Sequence, residues 1–60
     1  MPKYMLIIQD GSETHAMFSD SYEQIRGWKM DGECGLGAYA EIYEREFIEE
    51  QGYEYQLLEA

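Results

Sequence analysis

Sixty residues carrying thirteen acids against four bases, a formal net charge of −9, make one small and strongly acidic domain spanning 1–60. That length leaves no room for a second domain, since domains usually run to about 100–150 residues. The charge argues against direct contact with nucleic acid or an anionic membrane, both of which need a basic footprint.

A chain of this size buries only roughly 60% of the surface its unfolded form exposes. With one cysteine, Cys34, and one histidine, His15, it has neither a disulfide nor a zinc cluster to reinforce it. A lone thiol suits a reducing compartment. The Met5–Ile8 run is too short for a signal-peptide core, and no stretch approaches the ~20 apolar residues of a membrane span. A soluble, cytoplasmic protein is expected.

Along the chain, Lys3 to Gln9 is dense in β-formers and apolar on both parities, as an interior strand would be. Asp10-Gly11 then signals a hairpin, and Thr14 to Ser19 forms the return strand. One face of this hairpin carries Met5, Ile7, Thr14, Ala16 and Phe18; the other carries Tyr4, Leu6, Ile8, Glu13, His15 and Met17.

Ser19-Asp20-Ser21 offers N-cap residues, and Tyr22, Ile25, Trp28 and Lys29 recur at helical spacing, predicting a helix over 21–30. Asp31-Gly32 reads as its end, with Gly32 in the left-handed C′ position. Gly27 costs about 1 kcal/mol against alanine inside a helix and could serve a close approach to the sheet. Gly32 to Gly37 reads as a glycine-rich connector.

The segment 38–52 admits two readings. As a helix it aligns Leu36, Tyr39, Tyr43 and Phe47 and pairs Glu41 with Arg45. As a strand it places Ala38, Ala40 and Ile42 on one face and Tyr39, Glu41, Tyr43 and Arg45 on the other. The strand is favoured, because the tail Tyr53–Leu58 needs an antiparallel neighbour and a helix would crowd Glu46, Glu49 and Glu50. The architecture is therefore α+β, a ββαββ chain whose four-stranded antiparallel sheet runs in the order 2-1-3-4 with one helix on one face. Ile7, Phe18, Ile25, Trp28 and Ile42 are the expected core.

No residues stand out for chemistry. The acids are many, but none is distinguished as a general acid or base, and a sheet with one helix leaves little room for a cleft. Asp10-Gly-Ser-Glu13 lacks the alternating ligands of a calcium loop. Gly32-Glu-Cys-Gly-Leu-Gly37 lacks the lysine of a phosphate loop, and Glu33 would repel phosphate. Cys34 reads as an inert loop thiol and His15 as a surface side chain. No enzyme activity, cofactor or metal is expected.

Charge and aromatic content point elsewhere. Residues 1–30 set Asp10, Glu13, Asp20 and Glu23 against Lys3, Arg26 and Lys29 and carry −1. Residues 31–60 set nine acids against Arg45 alone and carry −8. Tyr39, Tyr43, Tyr53 and Tyr55 lie in that acidic half. One helix covers only one sheet face, so tyrosines on the other can anchor a partner while the acids select a basic one. The candidate partner-binding set is Tyr39, Glu41, Tyr43, Glu44, Glu46, Glu49, Glu50, Glu54 and Tyr55.

An opening strand like Tyr4–Ile8, a short capped helix like Ser21–Met30 and an alternating strand like Tyr39-Ala-Glu-Ile-Tyr43 resemble the small acidic ββαββ proteins of bacteriophages and mobile elements. The resemblance is one of style and carries over no functional residues. It implies an inhibitor or modulator docking on a basic, nucleic-acid-handling host protein. The alternative is a structural or accessory subunit that forms a homodimer through its exposed sheet face.

Overall fold

Asp10 pairs with Glu13, so Gly11 and Ser12 alone turn the chain between β1 (Tyr4–Asp10) and β2 (Glu13–Ser19). Gly11 has φ 62° and takes the first central position, where a type II′ hairpin turn needs glycine. The computed structural model describes residues 1–36 and 39–60, with the side chains of all but 33–36. The remaining elements are α1 (Tyr22–Leu36), β3 (Tyr39–Ile48) and β4 (Gly52–Glu59). The sheet is antiparallel in the order β2-β1-β3-β4, as the sequence predicts.

The register sets the two faces. Leu6 pairs with Met17 on one side and Ile42 on the other, and Ile8 with His15 and Ala40. These residues share the face on which α1 lies. Leu6, Ile25, Ala40 and Ile42 are wholly buried, Tyr4 and Ile8 nearly so, and Met17, Tyr22 and Trp28 pack around them. Each fully buried Leu or Ile contributes about 1.5–3 kcal/mol. The predicted helical stripe Tyr22, Ile25, Trp28 and Lys29 is the stripe that faces the sheet.

The helix starts where the sequence says. Ser21 Oγ accepts the Gln24 amide at 3.2 Å, and Ser19 Oγ accepts the Ser21 amide at 3.0 Å. It ends later than expected. The chain stays helical through Asp31 and Gly32 to Leu36, so Gly32 is not a C′ cap and the predicted connector is helical as far as Leu36. The physical reason is contact. A Cβ on Gly32 would sit 3.2 Å from Ile8 Cδ1, so glycine lets this turn press against the core. Gly27 has no such role, since a Cβ there meets nothing within 4 Å. Gly37 and Ala38, and the side chain of Cys34, lie outside the described residues.

β3 is a strand, not a helix, and it outruns the sheet. β1 pairs with it from Gln9↔Tyr39 to Tyr4↔Glu44, and the Arg45 amide donates to the Lys3 carbonyl at 2.7 Å. From Glu46↔Glu54 to Ile48↔Gly52, β3 and β4 pair only with each other. They form a two-stranded arm closed by the Gln51 amide donating to the Ile48 carbonyl and by Gly52 at φ 82°.

At its other end β4 is bulged. Tyr43 faces Leu57 and Ile42 faces Glu59, leaving Leu58 as the extra residue. The bulge shifts Glu59 onto the helix-bearing face. There its carboxylate accepts the Tyr22 hydroxyl at 2.7 Å and Arg26 Nη1 at 2.9 and 3.1 Å, tying α1 to β4. The Tyr22 hydroxyl and then the Glu59 charge raise the Arg26 pKa further above its usual value. No helix among the described residues is long and apolar enough to cross a membrane.

Candidate functional site: an open aromatic face and an acidic arm

Strand parity sends a second apolar set to the face opposite α1. β1 contributes Met5 and Ile7, β2 contributes Ala16 and Phe18, β3 contributes Tyr39, Tyr43 and Phe47, and β4 contributes Tyr53, Tyr55 and Leu57. No described residue forms a layer over it. Phe47 is 64% exposed, Leu57 55%, Tyr53 54%, Tyr39 53% and Phe18 48%. Phe18, expected in the core, therefore belongs to this open face, because its parity is that of Met5 and not of Leu6. Ile7, also expected in the core, shares this face and is only half-buried.

The rings are ordered by contacts among themselves. Phe47 and Tyr53, opposite each other on the arm, meet edge to face with centroids 5.3 Å apart. The Arg45 guanidinium lies 4.9 Å from the Tyr53 ring centre and donates to the Met1 carbonyl. Tyr55 donates its hydroxyl to the Pro2 carbonyl at 2.6 Å, and its ring meets Phe18 at 6.2 Å. The N-terminal residues are thereby pinned to the base of the arm.

The nine sequence-chosen residues do not form one surface. Tyr39, Glu41, Tyr43 and Tyr55 share the open face. Glu44, Glu46 and Glu54 point to the opposite side, and Glu49 and Glu50 sit at the arm's turn. Glu46 and Glu54 are directly opposite across the arm, an arrangement that repels. The arm is thus two-sided, with Arg45, Phe47 and Tyr53 on one side and carboxylates on the other.

Glu41 is half-buried and accepts the Tyr43 hydroxyl at 3.4 Å. Burial first, and the Glu41 charge next, push the Tyr43 phenol pKa upward.

The sequence set omitted Phe47, Tyr53 and Leu57. Continuing the Tyr39–Tyr43 alternation reaches Phe47, and pairing through the Gly52 turn brings Tyr53 and Leu57 to the same face.

His15 is an exposed side chain on β2, its Nε2 3.4 Å from Glu13 Oε2. Asp10 to Glu13 is the two-residue hairpin turn and its flanking pair. Among the described residues no pocket indents the surface and no group of three His, Cys, Asp or Glu side chains gathers.

Comparison with protein-family models, with characterised proteins and with solved structures gave no match.

Proposed function

We propose that this chain is a small acidic protein-binding module that lays its open aromatic face on a basic protein surface. The observation that carries this reading is the contrast between two apolar faces of one sheet. α1 buries Leu6, Ala40 and Ile42 on one, while Phe18, Tyr39, Phe47, Tyr53 and Leu57 stay about half exposed or more on the other. Contiguous exposed apolar patches of this kind mark interaction sites in small proteins. Tyrosines are favoured anchors at such sites, and the surrounding charge steers the encounter and selects the partner.

The charge argues for a basic partner over a second copy, because each copy carries −9. Basic surfaces of that kind are common on proteins that handle nucleic acid. A module that occupies one acts as an inhibitor or modulator of its host, in keeping with the class resemblance.

The experiment is affinity recovery from a bacterial lysate with wild type and with Phe47→Ala/Tyr53→Ala as baits. A bound protein with a strongly basic surface, recovered by wild type and lost with the variant, is expected. Equal recovery by both baits would remove the open face from the account.

A further inference from the structure

Glu41 is the one carboxylate among the described residues whose register places it in the middle of the open face. Tyr39 and Tyr43 lie two residues to either side of it on β3, and Ile7 is directly opposite on β1. Among the described residues the β3–β4 ladder runs no further than Ile42↔Glu59, and no described strand pairs with Glu41 on the flank away from Ile7. Among the described residues its carboxylate takes one long hydrogen bond, from Tyr43. An ionised carboxylate has about four acceptor sites, so this half-buried one can accept further donors from a bound partner.

The cations of the open face and the sheet show what chemistry suits such rings. Arg45 sits over Tyr53, and Lys3 Nζ lies 5.5 Å from the Tyr4 ring centre. Arg26 is held by Glu59 on the other face. A planar guanidinium satisfies a carboxylate with two parallel hydrogen bonds and stacks on a neighbouring ring, which a compact ammonium does less well.

Resting on the docking reading above, we infer that the row Tyr39–Glu41–Tyr43 seats one arginine side chain of the bound partner. Glu41 accepts the guanidinium, and the Tyr39 ring, 53% exposed, closes over it.

The test uses an arginine-containing peptide and its citrulline counterpart, which keeps the shape and lacks the charge. Each is titrated into isotopically labelled protein at low ionic strength and followed by amide chemical shifts. The arginine peptide should shift residues 39–43 and bind at least about ten-fold more tightly than the citrulline peptide. Glu41→Gln, isosteric and still able to accept from Tyr43, should remove most of that difference. Glu49→Gln, which deletes the same charge at the arm's turn, should leave most of it. Tyr39→Leu should weaken the arginine peptide while leaving charge untouched.

If Glu41→Gln behaves like Glu49→Gln, the seat is wrong while docking on the open face stands. If neither peptide shifts any open-face residue, both readings fail.

Discussion

Phe18 and Tyr55 stand on the two outermost strands of the sheet, yet their ring centroids are only 6.2 Å apart. Three strand spacings would separate flat edge strands by about 14 Å. The two side chains therefore reach toward each other across the open face. A double-mutant cycle on Phe18→Ala and Tyr55→Ala, measured by urea unfolding, should give a coupling of about 0.5–1.5 kcal/mol. Additive losses would show that the rings do not meet in solution.

The two helical glycines should respond oppositely to alanine. At Gly27 an added Cβ meets open space, so Gly27→Ala should stabilise the domain by about 1 kcal/mol. At Gly32 the same Cβ meets Ile8 at 3.2 Å. Overpacking there costs about 1–3 kcal/mol and should outweigh the gain in helix propensity. Denaturant midpoints of the two variants check both signs. A Gly32→Ala protein as stable as Gly27→Ala would mean that α1 does not press on β1 at this turn.

Tyr43 gives a pH signature. Its folded-state pKa is raised above the usual 10.0 by burial and by Glu41, so the folded protein holds this proton more tightly than the unfolded chain does. The resulting stability is present below pH 10 and is lost as pH rises through the folded-state value. Tyr43→Phe should flatten that alkaline decline in melting temperature. An unchanged decline would assign it to other groups.

Much of the fold is legible in the residues because independent local signals agree. The Asp10-Gly11 turn, the parity of Leu6 and Ile8, the Ser21 cap and the Tyr22–Lys29 stripe each point to the same ββαββ chain. Two features escape local reading because they depend on contacts between distant segments. Asp31-Gly32 looks like a helix stop, and only the presence of Ile8 beneath it shows why the helix continues. Phe18 looks like core by hydrophobicity, and only the side on which α1 docks sends it to the open face. The candidate site suffers in the same way. Glu44, Glu46 and Glu54 stand near Tyr43 and Tyr55 in sequence, while strand alternation carries them to the other side of the arm. The bulge at Leu58 has no residue signature, and with it the Glu59–Arg26 link was hidden.

The acids of the arm should trade stability against binding. Glu46 faces Glu54 directly, with Glu49 and Glu50 at the turn beside them. Glu46→Gln/Glu49→Gln/Glu50→Gln relieves that repulsion and should leave the melting temperature unchanged or raise it.

The most direct measurement of the docking reading is the association rate of the recovered partner against ionic strength, for wild type, this triple variant and Phe47→Ala/Tyr53→Ala. Docking on a basic surface predicts a wild-type rate that falls steeply with salt and a slower, flatter response in the triple variant. The aromatic variant should associate at nearly the wild-type rate and dissociate faster. A triple variant that associates as fast as wild type at low ionic strength would contradict electrostatic docking and leave the exposed rings of the open face to account for the binding.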